Sequence, residues 1–215
     1  MNKYLEATSF IDCDAWSIKE KTQDLTKGQE RDTDKVRSLF YFVRDKIKYN
    51  PYSPRYSPEH YVASTILERR EGYCVQKAVV LVALARAVGI PFRLRFADIK
   101  NYLVPKKLAE WMGTNFFVYH GYDELFIKRR WVKATPAFDL RMCQENHIIP
   151  VEFDGKNDAI FHSHNQVGKL HIEYVRDRGH YQDVPLGKIL DAATRAYGSE
   201  YVEHLKKGFR KDAGV

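Results

Sequence analysis

The feature that most constrains the fold is an apolar run, as long as a helix, that begins at Cys74. Residues 74–88 are mostly Ala, Val and Leu, and as a helix they would be apolar around nearly the whole circumference. Such a helix usually lies at the centre of a domain. Gly89 favours its end and Pro91 prevents its continuation. Arg86 keeps the run short of the ~20 apolar residues of a membrane span, so we expect a central helix of a globular domain.

Strand patterns follow this helix. Phe92, Leu94 and Phe96 alternate with arginines, which is typical of a strand with one buried face. Residues 115–127 and 129–138 form two further β-like runs, with basic residues near the turn between them. These patterns predict an antiparallel pair after the central helix, and the fold class is α+β.

Helical patterns precede and follow this centre. Residues 32–34 provide candidate N-caps for a helix with an apolar face, formed by Val36, Leu39, Phe40, Val43 and Ile47. Short helices are expected near 63–69 and 106–112, a terminal helix over 187–205, and only short helical patches over 1–31. No linker stands out. We predict a single domain over 1–215, with a core at about 32–140, a C-terminal extension at about 141–215, and helical extensions at both ends.

Composition narrows the class of protein. The 215 residues are 44% hydrophobic and 29% charged, as in an ordinary globular chain. Cys13, Cys74 and Cys143 are odd in number and form no CxxC pair, so neither a disulfide framework nor a zinc site is expected. The first ten residues lack the pattern of a signal peptide, and we predict a cytoplasmic protein that does not bind membranes. The net charge of +7 is spread along the chain, which argues against nucleic acid as a partner.

Cys74 is the first candidate for chemistry. A cysteine on the first turn of a helix lies near free backbone N–H groups and the positive end of the helix dipole, which favour the thiolate and lower the pKa. The same N–H groups can stabilise an oxyanion, and Gly72 leaves room for a substrate. Position alone also fits a buried, inert thiol.

His120 is the candidate base. A nucleophilic cysteine needs a base, usually a histidine, that projects from an element packed against the nucleophile's helix. His120 follows the apolar run 116–118 and precedes the strand-like sequence YDELFI. The alternative is an ordinary histidine at a turn or strand edge.

The sequence ASTILERREGYCVQKAVVLVALARAVGIPFRLRF, followed by VYHGYDELFIKRRWVKATPAF, resembles the transglutaminase-like superfamily over roughly residues 47–139. The matching features are the Gly-x-Cys at 72–74, the RAVGIPFR segment at 86–93, His120 with Glu124, and Trp131. The resemblance implies a papain-like core in which the Cys helix packs on an antiparallel sheet that carries the histidine. It also implies Cys-based acyl transfer on amide or peptide substrates, and we expect no cofactor and no metal.

The chain departs from this family at the third catalytic position, where members usually carry Asp shortly after the Trp. Thr135 stands there if Trp131 anchors the comparison, and Lys133 if Thr135-Pro136 does. Asp139 is the nearest acid downstream and is our candidate for that role, with a solvated strand-end residue as the alternative. Without a third residue the tautomer of the imidazole is not fixed. A Cys–His pair can still form a thiolate–imidazolium ion pair.

Two functions therefore stay open. The first is acyl transfer by Cys74 and His120 through a thioester that water or an amine resolves, with a peptide, a protein, or a small amide or amine as partner. The second is a weakly active or inactive binding module of the same fold. The sequence leaves the oligomeric state open.

Other patterns carry less chemistry. His162 and His164 could share one face of a strand as a metal pair with His171 nearby, but no familiar ligand spacing completes the set. The sequence FDGKND at 153–158 lacks the spacing of a calcium loop and predicts a turn. The aromatic-rich stretch at 48–61 could line a groove beside the Cys helix or pack on the core.

Overall fold

The computed structural model describes residues 1–207. Short 3₁₀ turns lie at Asn2–Tyr4 and Pro58–Tyr61. Within the described part, the helices are α1 (Trp16–Thr26), α2 (Asp32–Lys46), α3 (Ala63–Arg69), α4 (Cys74–Ala87), α5 (Lys106–Met112), α6 (Leu140–Glu145), α7 (Leu186–Tyr197) and α8 (Ser199–Lys207). The strands are β1 (Lys48–Tyr49), β2 (Glu71–Gly72), β3 (Phe92–Asn101), β4 (Phe116–Ile127), β5 (Arg130–Ala134) and β6 (Ile172–Tyr181).

The helix α4 lies at the centre of the fold, as its apolar circumference predicts. Every residue from Val75 to Arg86 is buried. The helices α1, α2 and α3 pack against it, and β3 and β4 contact it from the sheet. Gly89, with a φ of 75°, follows its end, as expected for a residue in the left-handed region. The predicted α+β architecture, with a Cys-bearing helix on an antiparallel sheet and helical extensions, is confirmed.

The main sheet is antiparallel, with the strand order β5-β4-β3-β6. The predicted hairpin is β4 and β5, joined at Lys128 and Arg129, which both have positive φ. The fourth strand, β6, comes from beyond residue 140, where the sequence indicated only short β-like pieces. Most of its residues are exposed or half-buried, which explains the weak pattern. A separate parallel pair, β1 and β2, lies just before α4.

Two predicted helical regions differ from the structure. The segment 16–26 forms a full helix, α1, although only Ile18 and Thr22 in it are buried. Because its apolar face is so narrow, the sequence predicted only short helical patches there. The expected terminal helix over 187–205 is broken into α7 and α8 by Gly198, which has a φ of 84°.

The buried Lys77 of α4 joins the central helix to α2. Its Nζ donates to the carbonyl oxygen of Arg44 at 2.8 Å and to that of Ile47 at 2.6 Å, at the end of α2. These carbonyl groups have no partner inside their own helix. Burial lowers the pKa of Lys77 to about 7, so the contact makes stability depend on pH.

The C-terminal helices pack over α5 beside the sheet. Leu108 and Met112 of α5 form a small apolar cluster with Ala193, Tyr201 and Leu205. The hydroxyl of Tyr197 accepts a hydrogen bond from the backbone N–H of Val118, 2.7 Å away, on β4. Across residues 1–207, each helix is too short or too polar to cross a bilayer.

Candidate active site

A glycine allows the strand that carries His120 to lie directly on the first turn of α4. A Cβ placed on Gly121 would come within 2.8 Å of the Cα of Val75 and 3.0 Å of its Cγ2. Any larger residue would therefore push β4 away from α4. This close approach brings the residue after Cys74 against the residue after His120.

The strand is irregular next to His120. The pairing of β3 and β4 shifts register between Ala97 and Ile99, and His120 lies opposite Ala97. Tyr119 has a φ of 52°, an uncommon value for a residue with a side chain. Its backbone N–H donates to Asp98, whose carboxylate is in turn held by Arg178. Backbone irregularities of this kind cluster at functional sites.

One cavity contains the three residues that the sequence predicted. Cys74, His120 and Asp139 all line a cavity of about 810 Å³. Its wall is largely aromatic and aliphatic, and both the loop after β1 and the C-terminal helices contribute to it. The aromatic-rich stretch at 48–61 thus lines the groove beside α4. The cavity is large enough for a peptide-sized segment or a small amide.

Cys74 is half-buried at the start of α4. Burial raises the pKa of its thiol, while a hydrogen bond from the backbone N–H of Gly121 and the charge of Arg55 oppose this. The backbone N–H groups of Val75 and Cys74 also lower the pKa, as expected at a helix start. The predicted net lowering is nevertheless wrong, because burial outweighs these contributions, and the resting group is a thiol.

His120 is almost completely buried, with 3% of its surface exposed. Its ring stacks on Phe161, with centroids 5.0 Å apart, and lies near Tyr122 and Tyr174. Burial lowers the pKa of His120 to about 3. The resting pair is therefore a neutral thiol and a neutral imidazole, rather than an ion pair.

No carboxylate within residues 1–207 hydrogen-bonds to the buried Nε2 of His120, which has no partner. The two oxygens of Asp139 accept from backbone N–H groups instead. Oδ1 caps α6 at Met142 N, 2.9 Å away, and Oδ2 accepts from Tyr49 N at 3.0 Å. Asp139 thus lines the cavity and holds backbone around it, without a hydrogen bond to the imidazole.

The other residues considered for the third catalytic position do not supply an acceptor for the imidazole of His120. Thr135 is buried on the segment after β5, and Lys133 lies opposite Glu124 in the sheet. Glu124 forms ion pairs with Arg93 and Arg95 at 2.7 and 2.8 Å. Burial raises the pKa of Asp123 well above its usual range, and neither of its carboxyl oxygens has a hydrogen-bond partner within residues 1–207. Of the predicted site residues, Cys74 and His120 therefore share the cavity without a carboxylate bonded to the imidazole.

The histidines at 162–171 form no cluster of ligands. His164 Nδ1 lies 3.0 Å from the hydroxyl of Ser163, and burial lowers the pKa of His171 to about 4. Within the described chain, no three His, Cys, Asp or Glu side chains are grouped as metal ligands would be.

Sequence reasoning missed two parts of the site. Phe161 and Tyr174, which surround His120, come from the region beyond residue 140 and carry no recognisable motif. Arg55 lies beside Cys74, and only the aromatic character of its loop pointed to this segment.

A family model for the transglutaminase-like superfamily matches residues 19–136, just over half of the chain. The chain belongs to the transglutaminase-like superfamily. The match includes Cys74 and His120 and ends before Asp139. No curated protein matches the chain.

Two solved structures are similar to this superfamily member. One is a candidate cysteine protease from Cytophaga hutchinsonii, with 18% identity and a TM-score of 0.49, over 62% of this chain and 40% of that one. The other is a candidate protease from Parabacteroides distasonis, with 14% identity and a TM-score of 0.39, over 62% of this chain and 24% of that one. The chain thus spans less than half the length of either structure.

Proposed function

We propose that the protein is a cysteine-dependent enzyme that transfers an acyl group from an amide or peptide to water or to an amine. The observation that carries the proposal is the contact of Gly121 with Val75, because it brings the histidine strand onto the first turn of the cysteine helix. Membership of the superfamily and the shared cavity support it further.

The chemistry follows from a neutral Cys–His pair. His120 takes the proton of the Cys74 thiol as the sulfur attacks the carbonyl carbon. Backbone N–H groups at the start of α4 stabilise the oxyanion. The tetrahedral intermediate collapses to a thioester as the C–N bond breaks, and the imidazolium gives its proton to the departing amine. Water or an amine, deprotonated by His120, then attacks the thioester and releases the sulfur, which recovers a proton.

Asp139 is a positioning residue in this proposal. Its bonds to Tyr49 N and Met142 N fix two backbone segments that border the cavity. The three cysteines are free, which supports a cytoplasmic, reducing location.

One observation favours a second function. A buried imidazole without an orienting acceptor and a thiol with a raised pKa are both expected of a superfamily member that has kept the fold but lost catalysis. Such a protein would use the cavity to bind a peptide and would keep that activity after Cys74→Ala.

The turnover of para-nitrophenyl acetate distinguishes the two functions. The enzyme proposal expects saturable turnover that Cys74→Ala and His120→Ala each abolish. Cys143→Ala is the matched control, because this thiol is buried and its pKa is raised to about 11. Turnover that is equal in the wild type and in Cys74→Ala would contradict the enzyme proposal and would favour the function as a binding module.

A further inference from the structure

The cavity contains a cation, the guanidinium of Arg55, that forms no ion pair with another residue of the described chain. Arg55 lies on the loop between β1 and the turn at Pro58–Tyr61 and lines the same cavity as Cys74. Its Nη2 is buried and has no hydrogen-bond acceptor. Buried guanidinium groups are normally paired, since an unpaired buried charge is destabilising.

The surroundings of Arg55 are phenolic rather than acidic. Within residues 1–207, no carboxylate forms an ion pair with it. The groups with the largest electrostatic effect on the pKa of Arg55 are the hydroxyls of Tyr201, Tyr73, Tyr61 and Tyr49. The guanidinium carbon lies 4.2 Å from the centre of the Tyr73 ring, a cation–π contact. Because an aromatic ring contacts the flat face of the guanidinium, the edge of that group stays available to bind a planar anion.

The loop that carries Arg55 is held firmly. Gln76 of α4 donates through Nε2 to the carbonyl oxygens of Pro54 at 2.7 Å and His60 at 2.8 Å. Tyr61 Oη donates to the carbonyl oxygen of Arg55 at 2.8 Å. The Arg55 Nε donates to the carbonyl oxygen of Ser53 at 3.2 Å. These bonds tie the cation to the same helix that carries the nucleophile, so its position relative to Cys74 is fixed.

Arg55 is also within electrostatic reach of the nucleophile, because its charge lowers the pKa of Cys74. We propose that Arg55 binds a carboxylate of the acyl donor beside the bond that Cys74 attacks, and so selects acidic amide or peptide substrates. The inference rests on the proposed function. The carboxylate comes either from an acidic side chain or from a chain terminus, and both offer the two oxygens that a guanidinium binds in a bidentate manner.

A matched pair of alkylating reagents tests this without requiring turnover. Iodoacetate and iodoacetamide differ only in the carboxylate and react with the same sulfur. We expect the iodoacetate-to-iodoacetamide rate ratio at Cys74 to exceed that of N-acetylcysteine by about 10-fold or more, as for one charge-assisted hydrogen bond. Arg55→Met should bring the ratio down to that of N-acetylcysteine, and Arg55→Lys should retain part of it.

The exposed Arg70 lines the same cavity and provides the control. Arg70→Met removes an equal charge and should leave the ratio unchanged. If Arg55→Met slows both reagents equally, Arg55 acts only on the thiol pKa and the inference is overturned. Thermal unfolding of each variant confirms that it is folded. Because the ratio needs only a reactive thiol, a failure of catalysis would not affect it.

A protection experiment separates the two sources of carboxylate. N-acetylglutamine carries a terminal carboxylate, and its isomer N-acetylisoglutamine carries a side-chain carboxylate only. The isomer that slows the alkylation of Cys74 by iodoacetamide more strongly identifies the source, and Arg55→Met should abolish the protection. Absence of protection by both isomers in the wild type would count against carboxylate binding.

Discussion

The substitution Gly121→Ala tests the contact that brings the two proposed catalytic residues together. The new methyl group would lie 2.8 Å from Val75 Cα and 3.3 Å from its Cβ, whereas ordinary contacts begin at 3.4 Å. The nearest of these atoms, Val75 Cα, belongs to the backbone of a buried helix, so a change of side-chain rotamer cannot relieve the clash. An ordinary contact is restored when the strand and the helix separate by about 0.6 Å, the difference between 3.4 and 2.8 Å.

Two consequences of different size follow. Overpacking a buried site costs about 1–3 kcal/mol of unfolding free energy. A displacement approaching 1 Å between reacting groups reduces the rate by up to about 100-fold. We therefore expect Gly121→Ala to remain folded, to lose about 1–3 kcal/mol of stability, and to lose about 10- to 100-fold in kcat/KM for para-nitrophenyl acetate.

Urea unfolding and steady-state kinetics measure the two effects on the same preparations. Gly187→Ala is the matched control, because Gly187 lies in α7 and its Cβ would meet nothing within 4 Å. That variant should be as active as the wild type and equally or slightly more stable. If Gly121→Ala matches the wild type in both stability and rate, the strand does not lie on α4 as described.

Further predictions concern titration and contacts around the site. Lys77 has a pKa of about 7 in the folded protein and an ordinary value of 10.5. Between these values the unfolded chain binds one more proton, so its contribution raises stability as pH rises from about 7 to about 10.5; urea unfolding of the wild type relative to Lys77→Met should show this rise, and a constant difference would refute it. Asp139→Ala should cost about 1–3 kcal/mol of unfolding free energy, because two backbone N–H groups lose the carboxylate oxygens that accept from them, and it should leave the pH profile of kcat/KM unchanged; a shifted profile would mean that Asp139 acts on the imidazole. Since the pKa of His120 is lowered to about 3, kcat/KM should show no ionisation near 6.5, the ordinary value for histidine, and an inflection there would contradict the burial of the ring. Tyr197→Phe leaves the N–H of Val118 without its acceptor and should cost about 1 kcal/mol in urea unfolding; an unchanged midpoint would place that N–H in contact with water.

The elements that position the site were predictable because each one is specified locally. The apolar circumference of α4, the alternation of Phe92, Leu94 and Phe96, and the run at 115–127 all identify buried elements without knowledge of their partners. The positions of Cys74 at a helix start and His120 on a strand follow from those patterns. The approach of the strand to the helix also depends on Gly121, whose importance is evident only once the distance to Val75 is known.

The parts that escaped prediction depend on long-range packing. The strand β6 pairs with β3 across the sheet, so that Tyr181 lies opposite Leu94, and its own polar sequence gives no sign of this partner. The surroundings of His120 depend on the same pairing, because Tyr174 belongs to β6. The predicted lowering of the Cys74 pKa was wrong for a related reason. The effect of the helix terminus can be inferred from the local sequence, whereas burial, which raises this pKa, depends on the whole fold.

The central claim is that Cys74 becomes acylated with the help of His120. Rapid acid quenching of the enzyme with para-nitrophenyl acetate, followed by peptide mapping by mass spectrometry, locates the acetyl group. We predict acetylation of the peptide that contains Cys74 in the wild type, a slower appearance in His120→Ala, and none at Cys13 or Cys143, which are buried. An acetyl group that forms on Cys74 equally fast in the wild type and in His120→Ala, or that appears only at another residue, would contradict the claim.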